Sequence, residues 1–285
     1  MRPWAAPQPN VDVEASLVDF ALEVAARSDV GTTRDHNEDA CGTLVEDPAS
    51  ALIVVADGVS LAAAGEVASA MAVEVTLRAY REAPEGEKAG QRLYRAVQQA
   101  NIEIYDRAVA VPELRGMSTT LTAVVVDRGE LTAVHVGDSR LYLFRDRELV
   151  QLTKDHTAAA EKVRMRLLSR EKARTSPDRS ILTRSVGREL IVSRDRISQP
   201  LVQDDVLLVC SDGVHGVLED EELARLLRDR HADDACGAIV AAANGRGTPD
   251  NLSAAVLRVV GPTPGHTAER VGFGERFRRL LGRMG

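Results

Sequence analysis

The chain has 285 residues, 44% of them hydrophobic and 3% aromatic, with 36 Lys and Arg against 43 Asp and Glu for a formal net charge of −7. That length can bury a sizeable core of Val, Leu, Ile and Ala, and the acidic balance excludes nucleic acid as the main partner. No stretch approaches the ~18 apolar residues of a membrane span, and the widely separated Cys41, Cys210 and Cys236 offer neither a disulfide framework nor a zinc spacing, so the expected location is the cytoplasm.

Met1–Asn10 contains three prolines and no apolar segment of signal-peptide type, so residues 1–16 are expected to be a disordered leader. Strand-like runs follow at Leu17–Ala26 and Leu52–Ala56, then helix formers over Gly65–Glu82 and Lys88–Val109. Thr120–Val126, Leu131–Val136, Leu141–Arg145 and Leu149–Thr153 read as further strands. Turns at Asp127-Arg128-Gly129-Glu130 and Arg145–Arg147 join neighbours among them, which implies antiparallel pairing. Thr157–Ala173 is a helical candidate within a polar, Arg-rich segment, 157–180, expected to be a mobile insertion. Val206–Cys210 and Ala254–Val260 complete the strands, with helices expected at Asp220–Arg230 and Asp233–Asn244 between them.

Because most strands follow one another directly, the expected class is α+β: a central antiparallel β-sandwich flanked by helices on both faces, over residues 17–260. Residues 261–285 begin with the breaker-rich Gly261-Pro262-Thr263-Pro264-Gly265. Beyond it, Phe273, Phe277, Leu280, Leu281 and Met284 share one helical face, surrounded by Arg276, Arg278, Arg279 and Arg283. The expectation there is a basic amphipathic tail helix, either docked on the domain or meeting an anionic membrane surface or acidic partner through 270–285.

Two apolar runs end on the same pair: Leu52–Ala56 leads into Asp57-Gly58, and Val206–Ser211 into Asp212-Gly213. Asp-Gly after a strand would ordinarily turn a hairpin, but helix formers follow both pairs. A carboxylate ending a buried strand, beside a glycine that clears space, reads better as a ligand-holding position. Asp138 after Leu131–Gly137 and Asp250 before Leu252–Val260 are placed comparably, and Glu38-Asp39 adds two carboxylates near the start. Carboxylates on strand rims suit a hard divalent cation such as Mg²⁺ or Mn²⁺. Their sequence separations alone do not bring them together, and each taken singly reads equally well as a turn, a loop or a surface residue.

The set as a whole says more. Ser28-Asp29-Val30-Gly31, Arg34 with Asn37-Glu38-Asp39, Ala56-Asp57-Gly58, Gly65-Glu66-Val67-Ala68-Ser69 and Ser118-Thr119-Thr120-Leu121 stand in order. Val136-Gly137-Asp138-Ser139-Arg140, Leu152-Thr153-Lys154-Asp155-His156, Cys210-Ser211-Asp212-Gly213 and Asp250-Asn251 follow. Over about residues 17–260 this resembles the bacterial branch of the PPM/PP2C metal-dependent protein serine/threonine phosphatases. The resemblance implies a β-sandwich with outer helices. It also implies hydrolysis of phosphoserine and phosphothreonine on proteins by a hydroxide bridging two Mn²⁺ or Mg²⁺ ions. By position, Asp57 resembles the bridging carboxylate and Gly58 the residue whose carbonyl binds the second metal. Asp212 and Asp250 resemble the other carboxylates on the first metal, Glu38 and Asp39 the acidic pair on the second, and Asp138 a ligand of a third, weaker one. Arg34 matches the arginine that binds the substrate phosphate, where a guanidinium fork pairs with two phosphoryl oxygens and a lysine would not. Arg34 and Asp57 are thus the expected catalytic residues, and the implied partners are phosphoproteins, a serine/threonine protein kinase among them.

Neighbouring residues have structural readings: Ser139 and Arg140 shape the turn beyond Asp138, His156 is a hydrogen-bonding residue, Asn251 orders the loop presenting Asp250, and Ser118-Thr119-Thr120 caps a strand. One departure stands out. Relatives usually read Asp-Gly-Met-Gly-Gly-His, whereas here Asp57-Gly58 is followed by Val59-Ser60-Leu61-Ala62, which removes two glycines and a histidine. That change motivates the alternative of a weak or inactive phosphoprotein-binding regulator; a second alternative is the related branch of anti-sigma-antagonist phosphatases, against which Arg34 and the intact motif around it favour the general phosphatase. A calcium protein of EF-hand type is excluded, since no compact Asp/Asn loop is present.

Overall fold

A computed structural model describes residues 20–59 and 64–262. The expected leader, most of the Val59–Ala62 departure and the tail helix lie outside the described residues. Strands β1 (Phe20–Asp29), β2 (Asp39–Asp47) and β3 (Ser50–Val59) open the chain, followed by helices α1 (Gly65–Arg81) and α2 (Ala89–Ala110). A two-residue strand, β4 (Ser118–Thr119), leads into β5 (Leu121–Asp127), β6 (Glu130–Val136), β7 (Arg140–Arg145) and β8 (Glu148–Gln151). Short helices α3 (Ala158–Arg164) and α4 (Arg170–Arg174) and a 3₁₀ turn at Pro177–Ser180 precede β9 (Asp195–Pro200) and β10 (Val206–Cys210). Helices α5 (Asp212–His215), α6 (Asp220–Leu227) and α7 (Ala232–Gly245) and strand β11 (Leu252–Pro262) complete the order.

The strands form two antiparallel sheets, ordered β1-β11-β10-β7-β8 and β2-β3-β5-β6-β9, with β4 added beside β3. Alternation along β3 explains the layering. Leu52, Val54 and Ala56 face one way, into a core shared with α1 and α2, while Ala51, Ile53 and Val55 face the other sheet. In β11, Ala255, Leu257 and Val259 enter that same inter-sheet core, and Ala254 and Val256 pack towards α6 and α7. Three cores thus separate four layers, helix–sheet–sheet–helix, which is the expected α+β sandwich. Each fully buried Val, Leu or Ile contributes about 1.5–3 kcal/mol, and the inner strands bury such residues on both faces.

Besides the two-residue β4, two strands were not expected. β2 and β9 are the outer strands of their sheet, and β9 only half-buries alternate residues, so neither presents the continuous apolar run of a central strand. Gly42 inside β2 further weakens the strand signal, yet a Cβ there would lie 2.7 Å from Val73 Cγ1, so the glycine lets α1 pack closely. Thr157–Ala173 is not one helix. Thr157 and Ser169 each cap a separate helix through their hydroxyls, and Arg166 takes a φ of 59° between them. The turn at Arg128-Gly129 has positive φ at both residues, as a right-twisted two-residue hairpin requires.

Candidate metal centre

Antiparallel pairing brings the strand-rim carboxylates to one end of the sandwich. Asp39 opens β2 and is the register partner of Asp57 near the end of β3. Cys210 at the end of β10 pairs with Ala254 in β11, so Asp212 at the start of α5 stands near Asp250, just before β11. Asp138 lies in the connection between β6 and β7. Asp212 and Asp57 are in side-chain hydrogen-bond contact, and the charge of Asp250 acts on Asp212. Glu38 enters mainly through its backbone: its carbonyl accepts from Gly58 N at 2.9 Å and its N–H donates to Asn251 Oδ1 at 2.8 Å, while its carboxyl lies against Gly65.

The electrostatics are those of too many buried like charges. Burial, followed by the charges of Asp39, Asp212, Asp138 and Asp250, holds the Asp57 carboxyl well above the ordinary carboxylate range. Burial pushes Asp39 up to about 7 despite the Ser211 hydroxyl donating to Oδ2 at 2.6 Å. Asp212 is pushed up to about 6, mainly by burial and then by Asp250, with Asp57, Arg179 and Arg34 drawing it down. Asp138 is raised by burial and by Asp212 and Asp155. Such a cluster is stable only when protonated or neutralised by cations. The donors are all oxygen, which suits hard divalent cations. Among the described residues no three His, Cys, Asp or Glu side chains stand close enough together to hold one ion directly. An ion that keeps much of its water shell needs only one or two direct carboxylates, so the fit is to hydrated Mg²⁺- or Mn²⁺-like ions.

The backbone around the cluster is tightly held. Thr119 Oγ1 donates to Asp57 O at 2.8 Å, and Asp57 N–H donates to Thr120 Oγ1 at 3.0 Å. Thr120 Oγ1 in turn lies 2.6 Å from Ser139 Oγ, beside Asp138. Asn251 Nδ2 donates to Val30 O and His36 O, both at 2.8 Å, which fixes the loops bearing Asp250 and Glu38. Both Asp-Gly glycines are required by close approach. A Cβ on Gly58 would lie 2.3 Å from Gly65 O, and one on Gly213 would lie 1.9 Å from Asn251 O.

Arg34 reaches the same cluster, donating from Nη2 to Asp250 Oδ2 at 2.9 Å and from Nε to Pro249 O at 3.2 Å. Its side chain remains 47% exposed, so the guanidinium lies at the mouth of the site. Several residues here carried little readable signal of their role. Ser211 and Ser253 hold Asp39, Arg179 acts on Asp212 from the 3₁₀ turn, and His215 Nε2 donates to Asp138 O at 3.0 Å. Burial drives His215 down to about 3, so it is a neutral donor. Only its position three residues after Asp212, on the same short helix, hinted at it.

This site sits in a chain with clear relatives. Residues 32–256 match the family described as protein phosphatase 2C. The chain is 34% identical over 231 residues to the serine/threonine phosphatase stp of Listeria monocytogenes, covering 80% of this chain and 92% of that one. It superposes on the crystal structure of the Mycobacterium tuberculosis serine/threonine phosphatase PstP/Ppp with a TM-score of 0.77, at 33% identity, covering 85% and 100% of the two chains. A structure of the PstP catalytic domain in complex with two manganese ions superposes at 0.75, with 32% identity and coverage of 85% and 100%.

Proposed function

The chain belongs to the protein phosphatase 2C family, and on that premise we propose that it hydrolyses phosphoserine and phosphothreonine on proteins at the cluster around Asp57. The observation that carries the reading is the meeting of Asp39, Asp57 and Asp212 at one sheet end, with Arg34 across the mouth. The similar chains named serine/threonine phosphatase support the enzyme over an inactive regulator or an anti-sigma-antagonist phosphatase.

We assign the metal-holding roles to Asp57, the Gly58 carbonyl, Asp212 and Asp250, with Glu38 and Asp39 on the second ion and Asp138 on a third, weaker one. Two Mn²⁺ or Mg²⁺ ions, when bound, would supply a water acidic enough to serve as nucleophile and positive charge against the phosphoryl oxygens. The protein groups do the rest. Asp57, Asp39 and Asp212 would hold those ions as carboxylates rather than as neutral acids. Arg34 leaves Asp250 and lays its guanidinium fork on two phosphoryl oxygens, orienting the group for in-line displacement of the serine or threonine oxygen. Arg179, close enough to act on Asp212, adds positive charge at the mouth.

Phosphoproteins are the substrate class, and we place a serine/threonine protein kinase among them. Residues 17–260 form the phosphatase domain in this reading, with 1–16 a leader and 261–285 a linker and basic tail. A cytoplasmic site is supported by three free cysteines, of which burial pushes Cys41 up to about 11 and Cys236 up to about 12. No helix among the described residues is long and apolar enough to cross a membrane. The test is phosphate release from phosphothreonine, phosphoserine and phosphotyrosine peptides after EDTA treatment and readdition of Mn²⁺ or Mg²⁺. Metal-restored release from the first two is expected, and release that persists in EDTA would overturn the reading.

A further inference from the structure

His156 makes a continuous path between Asp138 and the start of β9. Its backbone N–H donates to Gly137 O at 2.8 Å, and Gly137 N–H donates back to its Nδ1 at 3.1 Å. On its other edge, Nε2 lies 3.3 Å from Asp195 Oδ2 and 3.1 Å from Arg184 Nη1. Arg184 Nη1 donates to Asp195 Oδ1 at 2.9 Å and so holds the carboxylate in place. The imidazole is buried, and its carbonyl accepts from Thr183 N at 2.8 Å. Gly137 itself has a φ of 108°, and a Cβ there would lie 2.5 Å from Thr120 Cβ, so only glycine fits at this position. On the far side of Asp138, His215 grips the carbonyl.

We propose that His156 is a positioning residue for Asp138: its ring fixes the Gly137–Asp138 peptide, and Asp195 fixes its ring. This rests on the reading of Asp138 as a ligand of the third, weaker ion. A ligand carboxylate three bonds from a peptide turns with that peptide, so a ring that locks Gly137 N–H also sets where the Asp138 oxygens point. Partners of this outer kind, when removed from metal sites, typically cost 10- to 100-fold in affinity. The path also links the ligand loop to both ends of the segment between β8 and β9, since Thr183 and Arg184 return beside His156.

The experiment is Mn²⁺ binding to the full chain by calorimetry and by the electron paramagnetic resonance of free Mn²⁺, with thermal melting alongside. His156→Asn keeps an acceptor near Nδ1 and is expected to bind every ion within about twofold of the wild type. His156→Leu keeps bulk without an acceptor, and is expected to weaken the weakest site at least tenfold while the tighter ions bind within twofold. Asp195→Ala is expected to fall between the two. A general loss of packing would instead weaken all ions together with the melting temperature. An unchanged isotherm in His156→Leu, or parallel loss at every site, would overturn the proposal. Asp138→Asn is the reference: if it spares the weakest ion, the Asp138 assignment fails and the proposal falls with it. If it abolishes that ion while His156→Leu does not weaken it, the role of His156 alone is overturned.

Discussion

Arg34 and Asp250 form an ion pair at 2.9 Å, joining the residue assigned to substrate phosphate with one assigned to metal. The pair is more than a third exposed on both sides, so it contributes little to stability. In the proposed reading it is an exchangeable contact: Asp250 would hold a cation and Arg34 would turn to a phosphoryl group.

Replacing Arg34 therefore has a defined signature. Arg34→Ala is expected to lower kcat/KM on a phosphothreonine peptide by about 10²-fold, in the range seen for removing one stabiliser of developing oxyanion charge. Arg34→Lys should recover only part of this, because an ammonium lacks the bidentate fork. The melting temperature should stay within about 2 °C. Full activity in Arg34→Lys, measured by steady-state kinetics, would contradict the assigned geometry.

The raised carboxyls give a pH dependence with a fixed sign. Asp39 at about 7 and Asp212 at about 6 lie above the unfolded value of about 3.9. Groups raised on folding hold protons that the unfolded chain has released, so their stabilisation is complete below about pH 3.9 and is lost as pH rises through 6 and 7. Metal-free protein should therefore melt at lower temperature at pH 8 than at pH 5. Mn²⁺ competes with those protons, so its affinity should climb steeply between pH 5.5 and 7.5. Differential scanning fluorimetry with EDTA and with Mn²⁺ checks both trends, and a pH-independent Mn²⁺ affinity would count against the cluster as the binding site.

Gly213 offers a test of the scaffold. Its missing Cβ makes room for Asn251 O at 1.9 Å, a backbone atom that cannot step aside. Gly213→Ala is expected to cost about 1–3 kcal/mol and to push Asp212 away from Asp250. Denaturant titration and metal binding should show both losses, whereas Gly245→Ala, which meets nothing within 4 Å, should show neither.

What could be read from the sequence follows from how each residue is buried. β3 and β10 were legible because they are covered on both faces and so read as unbroken apolar runs. β2 and β9 were not, because outer strands alternate and here carry Gly42 or polar residues. Asp57 and Asp212 stood out locally, since Asp-Gly followed by helix formers contradicts a hairpin. Their convergence did not, because it depends on the antiparallel register of strands far apart in the chain, and only the order of motifs supplied it. Ser253 and Arg179 were silent, and the roles of Ser211 and His215 nearly so, because nothing in local pattern tells which way a hydroxyl, an imidazole or an exposed guanidinium points.

In the proposed mechanism Asp57 organises the metal-dependent phosphatase centre. Its most direct test is Mn²⁺-dependent phosphate release by Asp57→Asn, an isosteric change that removes the charge and keeps the hydrogen-bonded backbone. Release is expected about 10³-fold below the wild type, the upper range for removing one electrostatic element of a site, in a protein that melts normally. Turnover within tenfold of the wild type would contradict it.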